Sequence, residues 1–337
     1  MDFFTRTVVA FSLGLGLVLA QPGLSMAAST LNIGVSDIST GNLPAGGGLV
    51  DVIRNQQRLE NALAGQGVQV QWHFFKGAAP LINEALASGT LDMAYLGDLG
   101  ALVGRAGGLD TRVVAVAARG VSHYLAVPPG SDIHTMADLK GRTVGLLRGT
   151  AAQLSFIGAL QTAGLRERDV KVINLDFAAA SAALAARQID ATWGGAGELA
   201  LRDRGQAQIA VSTRALGGAG ELAGLVVVSG RLLTEHPDWV QAIVQVQRDA
   251  ATWASAPEHY DAYLTLLATQ AAYPVALLKE DLQGAPPLAQ LLSPQLDPAF
   301  VSHLAQAAAQ AKTAGLIRGD VAIDAWLAPQ LLQASTP

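Results

Sequence analysis

The sequence predicts an α/β protein with two strand-and-helix units and a helical tail. Three observations carry this. Short apolar strand runs alternate with segments of helical spacing over residues 31–118, a second such series starts after Arg119-Gly120, and no strand pattern appears beyond Arg231. Strands alternating with helices imply crossover connections and parallel sheets. A length of 337 residues fits two domains at about 150 residues each.

The elements follow in order. Residues 31–35 alternate apolar with small or polar side chains and read as a strand. A loop of turn formers spans 36–48, with Ser39, Thr40, Gly41 and Asn42 at its centre. Leu49, Val52, Ile53, Leu59 and Leu63 are spaced as one helix over 49–63. Strands are expected at 68–74, 91–96 and 111–118, with helices at 81–87 and 99–106 between them. In the second unit, strands are expected at 124–127, 143–147, 170–175, 189–193 and 209–211. Helices are expected at 151–163 and 178–186, with a short turn of helix at 136–141. A strand at 225–228 is the last. His236-Pro237-Asp238 then opens a long helix to about Ala254, because proline is tolerated in a first helical turn. Ala256-Pro257, Pro286-Pro287 and Asp297-Pro298 mark further helix starts.

Composition narrows the function classes. Half of the residues are hydrophobic and the net charge is only -5, which excludes a disordered chain. With no cysteine there are no disulfides, thiolate metal sites, cysteine nucleophiles or lipidated cysteine. A pI near 5.6 argues against nucleic-acid binding. The mean hydropathy of +0.32 has an innocuous source in scattered alanine, glycine and leucine. Arg6, the apolar run 8–20 and the small residues at Ser25 and Ala27 have the layout of a secretory signal peptide over 1–27. The run is short of the roughly 20 residues a membrane span needs. The alternative is an uncleaved N-terminal anchor. Cleavage removes Asp2 and Arg6 together, so the charge stays at -5. The expected product is a soluble protein of a bacterial periplasm.

Ligands of open α/β sheets bind beyond the carboxyl ends of the strands. That rule selects the loops 36–42, 77–79, 97–98, 122–123, 149–153 and 194–198. Several place glycine where a helix starts, and a helix start offers unpaired N–H groups and partial positive charge to an anion. Gly149-Thr150-Ala151 is the best example, with two backbone donors and a hydroxyl; its plain alternative is an ordinary helix cap. Asp98 suits a ligand amine, or caps the helix from Leu99. Trp193 suits an apolar wall, or core packing. Arg119 and Arg148 lie where they can pair with an anion. The six histidines form no metal motif, and no nucleophile elbow or phosphate loop is present. The absence of catalytic constellations favours binding over catalysis.

The segments Phe75-Lys76-Gly77-Ala78-Ala79-Pro80-Leu81-Ile82-Asn83-Glu84-Ala85-Leu86, Ser88-Gly89-Thr90-Leu91-Asp92-Met93-Ala94-Tyr95-Leu96-Gly97-Asp98, Ala137-Asp138-Leu139-Lys140-Gly141, Arg148-Gly149-Thr150, Ile189-Asp190-Ala191-Thr192-Trp193 and Leu233-Thr234-Glu235-His236-Pro237 occur in this order. Together they resemble the periplasmic solute-binding proteins of ABC importers for taurine, aliphatic sulfonates and nitrate, over about residues 30–330. The resemblance implies a hinged, two-lobed periplasmic binding protein fold (type II-like) with the C-terminal helical tail on the first lobe. Lobe 1 would comprise 28–119 plus 222–337, and lobe 2 would comprise 120–221.

The ligand would be a small sulfonate-like anion held between the lobes, and the partner an ABC permease of the inner membrane. The protein would be a monomer, with no cofactor or metal and no nucleic acid. The implied site takes Gly97 and Asp98 from one lobe and Gly149, Thr150, Ala151, Trp193 and Gly194 from the other. Ser39, Thr40, Gly41, Asn42, Gly77 and Ala78 would line the same cleft. Two departures matter. Gly194-Gly195-Ala196-Gly197-Glu198 replaces a more usual aromatic and acidic pair before proline, and Ala151 stands where a second hydroxyl is common. Ser122 and His123 are candidates to compensate. The alternatives are a nitrate or pyrimidine-precursor binder, and a same-fold enzyme such as a desulfinase or a pyrimidine-synthesising relative, which needs a reactive cysteine, or a histidine and lysine, near the cleft.

Overall fold

The computed structural model describes residues 29–39, 42–76 and 78–333. The expected signal peptide lies outside them, as do Thr40, Gly41 and Gly77. The first sheet begins with β1 (Thr30–Ser36), α1 (Leu49–Asn55), α2 (Arg58–Leu63), β2 (Gln69–Phe75), α3 (Ala78–Ala87), β3 (Met93–Gly97), α4 (Asp98–Ala106) and β4 (Thr111–Val121). The single helix expected over 49–63 is two. Gln57 takes a left-handed φ of 50°, and the amides of Gln56 and Gln57 turn back onto Val52 and Arg54 to close α1. Both pieces still bury the predicted face, Leu49, Val52, Ile53, Leu59 and Leu63.

The second sheet is built from β5 (Tyr124–Val127), β6 (Thr143–Leu146), α5 (Ala151–Gln161), β7 (Lys171–Asn174), α6 (Phe177–Ala185), β8 (Ala191–Gly194), α7 (Gly197–Asp203) and β9 (Gln208–Ser212). α7 has no counterpart in the sequence reading, because its first residue, Gly197, closes the glycine cluster 194–197 that reads as a loop. β10 (Leu222–Ser229) then returns to the first sheet, and the tail follows as α8 (Gly230–Glu235), α9 (Pro237–Ser255), α10 (Tyr260–Ala271), α11 (Val275–Asp281), α12 (Leu288–Leu291) and α13 (Pro298–Thr313). Among the described residues no helix is long and apolar enough to cross a membrane.

The sheets are mixed, and the expectation of parallel sheets is corrected here. The strand orders are β2-β1-β3-β10-β4 and β7-β6-β8-β5-β9. β1 runs parallel to β2 and β3, but β10 is antiparallel to β3 and β4. β5 is likewise antiparallel to β8 and β9, whereas β6 is parallel to β7 and β8. The physical reason is the connections. β5 enters its sheet directly from β4 of the other sheet across Ser122 and His123, and β10 returns from β9 of the second sheet, so neither is reached from a paired neighbour by the helical crossover that a parallel pair needs.

β10 is central and its alternation shows it. Val226 and Val228 join the core under α1, α2 and α9, while Leu225 and Val227 join the core under α3, α4 and α13. Side chains on a strand point alternately to opposite faces, so a strand buried on both faces reads as an unbroken apolar run. The tail is tied to β4 by Arg119. Its guanidinium donates to the carbonyls of Ser293 and Gln295, pairs with Asp297 at 2.9 Å and stands over the Phe300 ring.

Candidate functional site

A cleft of about 410 Å³ lies where the strand ends of the two sheets meet. Five helix starts contribute to its walls: Gly47, Gly48 and Leu49 at α1, Ala78 and Ala79 of α3, Gly97 before α4, Thr150 to Ala152 at α5, and Gly195 to Glu198 at α7. The first amides of a helix have no intrahelical acceptor. Five starts therefore direct N–H groups and partial positive charge toward the cleft. Asp51 holds the glycine wall by accepting from the Gly46 and Gly47 amides at 3.0 and 2.9 Å. Burial pushes its carboxyl above the usual range, and those two amides oppose the shift.

The starts of α4 and α5 touch. A Cβ built on Gly97 would lie 2.4 Å from the Ala151 Cβ, so glycine at 97 is what lets the two turns approach. The β4–β5 link supplies Ser122 and His123, both buried. Ser122 Oγ accepts from Arg214 at 3.0 Å. The His123 ring Nδ1 sits 3.0 Å from the Ser122 carbonyl, which makes it the N–H nitrogen. Burial pulls that imidazole down to about 4, so it is neutral at physiological pH.

The structure thus brings Ala78, Gly97, Ser122, His123, Thr150, Ala151 and Gly194 to one cleft. Other expected site residues stand elsewhere. Asp98 is 2% exposed and is not a lining residue; it accepts from the amides of Leu99 at 2.7 Å and Ala223 at 3.0 Å. Its carboxylate therefore joins the start of α4 to β10. Trp193 is buried in the second sheet's core, donates to Ser155 Oγ at 2.9 Å and packs on Phe156. Ser39 and Asn42 are not lining residues; the Ser39 amide donates to Asp37, and Asn42 is exposed. The Gly149 amide donates to Gln153 Oε1 at 2.8 Å, and the Thr150 hydroxyl donates to the Leu147 carbonyl at 2.7 Å. The amides of Ala151 and Ala152 remain as the first-turn donors of α5.

Two features were not read from the sequence as site residues. The tail contributes an apolar wall of Leu264, Leu267, Leu278, Leu282, Leu288 and Leu291; its helical periodicity was legible, but not which face meets the cleft. Glu198 also lines the cleft; the strand-end rule selected its loop, 194–198, but nothing in the sequence singled out this side chain. Among the described residues, neither lining arginine is free. Arg119 is engaged by tail carbonyls, and Arg214 donates to the carbonyls of Asp281 and Gln283 at 2.8 Å. Among the described residues, no group of three or more metal-ligating side chains converges. This arrangement can hold an anionic head by N–H dipoles and pack an apolar body.

Comparison with known proteins agrees with this architecture. The NMT1/THI5-like family model matches residues 64–259. A protein of Bacillus subtilis named for binding aliphatic sulfonates is 26% identical over 239 residues, 69% of this chain and 70% of that one. The periplasmic sulfonate-binding protein SsuA of Methylobacillus flagellatus superposes with a TM-score of 0.76 at 27% identity, covering 90% of this chain and 93% of that one. Binding proteins of Brucella species are 38% identical over 112 residues, so the match spans 34% of their length. The desulfurization enzyme DszB shares the fold alone, with a TM-score of 0.65 at 20% identity. The two mixed sheets are those of the periplasmic binding protein fold, and the chain belongs to the NMT1/THI5-like family.

Proposed function

We propose that this chain is the extracytoplasmic binding subunit of an ABC importer that captures an aliphatic sulfonate in the cleft and delivers it to an inner-membrane permease. The observation that carries this reading is a cleft lined by helix starts and by tail leucines, whose two arginines among the described residues are engaged elsewhere. A sulfonate has three oxygens for amide donors and an alkyl body for the leucine wall. The amides of Ala151 and Ala152 are the leading donors for the head. Nitrate lacks the apolar body, and Asp98, the carboxylate expected to meet taurine's ammonium, is already engaged by two backbone amides. The lobes would be 28–119 plus 222–337 and 120–221, closing on the ligand. The chain acts as a monomer in the periplasm after loss of residues 1–27.

A thermal-shift screen tests this. Hexane-1-sulfonate at a hundred times its Kd should add about 2.7 kcal/mol of stability, with taurine and nitrate giving less at equal concentration. No shift with any alkanesulfonate, or a larger one with nitrate, rejects the reading. The chain has no cysteine, and the cleft histidine makes its Nδ1 contact with a backbone carbonyl rather than a carboxylate. Purified protein is therefore expected to release no sulfite from an aryl sulfinate.

A further inference from the structure

Glu198 is 6% exposed, yet it lines the cleft. Its Oε1 has only the Thr192 hydroxyl, at 3.5 Å, and its Oε2 has no hydrogen-bond partner. The position is built for it: a Cβ on Gly194 would lie 2.5 Å from Oε1, so only glycine there leaves the carboxyl its room. A buried, half-satisfied carboxyl is costly, and such groups tend to mark a functional site.

We propose that Glu198 reads the ligand as a neutral carboxylic acid, donating its O–H to the anionic head. This rests on the sulfonate reading above and adds a donor to it. The geometry favours an acid over a carboxylate. Both lining arginines are engaged elsewhere, and no ionised side chain bears on Glu198. Burial pushes it up to about 8, with only the Thr192 hydroxyl opposing. An ionised Glu198 would repel an anion, whereas the protonated form supplies a hydroxyl donor. The Thr150 hydroxyl is not available for that role, being held by Leu147.

The proton linkage has a fixed sign. Below pH 8 the donor is present; as pH rises through 8 it is lost and a negative charge replaces it. The other titratable groups on the cleft walls are His123, Tyr95, Tyr263, Tyr273 and Asp281, beside the two engaged arginines. His123 titrates near 4, and burial holds the Tyr95 and Tyr263 phenols above their usual range. Asp281 is raised by burial, and Tyr124 donates to it. Tyr273 lines the wall beside Gly197.

The test is titration calorimetry of hexane-1-sulfonate against the full chain from pH 7 to 9.5, with melts at each pH to confirm folding. Wild type should weaken about 30-fold, following the shrinking protonated fraction. Glu198→Gln keeps a donor without a proton, so it should bind within about threefold of wild type at pH 7 and show no pH dependence. Glu198→Ala should lose about tenfold or more at pH 7. A flat wild-type profile, a profile that strengthens with pH, or a Gln variant as weak as Ala overturns the role given to Glu198 while leaving the sulfonate reading standing. Absence of binding at every pH overturns both.

Discussion

Gly97→Val should weaken hexane-1-sulfonate binding by about 10- to 100-fold, the value of one or two hydrogen bonds to a charged group. The cause is a contact between elements of different sheets. Any Cβ at 97 meets the Ala151 Cβ at 2.4 Å, with the Ala151 backbone only 3.7 Å away, so no flexible side chain can yield. Carbon atoms prefer separations of about 3.5–4.0 Å. The starts of α4 and α5 must therefore part by roughly an ångström, and the Ala151 and Ala152 amides move with α5. Overpacking should also cost about 1–3 kcal/mol of stability. Calorimetry and urea unfolding measure the two effects separately. A compensating pair gives a sharper check: Gly97→Ala combined with Ala151→Gly moves the methyl across the contact and should recover most of the affinity that Gly97→Ala alone loses. Wild-type affinity in Gly97→Val, or no recovery in the pair, would remove this contact from the site.

Asp98→Ala should destabilise the fold by about 3–5 kcal/mol, because two buried amides lose a charged acceptor at once. One amide opens α4 and the other belongs to Ala223 in β10, so the carboxylate fastens a helix start to a strand 125 positions away in sequence. Asp98→Asn keeps an acceptor oxygen for one amide and should cost less. Urea unfolding gives the stability, and calorimetry on the folded fraction gives the affinity. A variant of near wild-type stability whose binding collapses would return Asp98 to the role of a ligand contact.

Much of this was legible in the sequence, for identifiable reasons. Strand runs such as 31–35 and 225–228 and the proline starts at 237 and 298 are local signals, and the structure has strands and helices there. The kink at Gln57 was not legible, because the apolar spacing of Leu49 to Leu63 continues through it and only the backbone records the break. α7 was hidden by glycines that read as a loop. Strand direction was lost because periodicity carries no orientation.

At the site, the loops chosen by the strand-end rule do converge, but residue type could not tell an engaged polar group from a free one. Asp98, Gly149 and Thr150 have the right chemistry and already have partners within the fold. Glu198 looked unremarkable in the sequence, and it is a cleft-lining carboxyl left with an unpartnered oxygen.

The place of β10 has a consequence for assembly. β3 and β4 are neighbours in sequence, yet each pairs in the first sheet with β10 and not with the other. Residues 111–121 thus have no strand to join until residues 222–229 exist. A nascent or truncated chain ending before Leu222 carries an open sheet edge and half of two cores, the kind of exposed surface that aggregates. Closing that gap spans a whole second sheet, so the contact is non-local and should be late and slow. The strand that completes the first sheet also carries Leu222 and Gly224 into the cleft wall, so the binding surface is finished only when that last pairing forms.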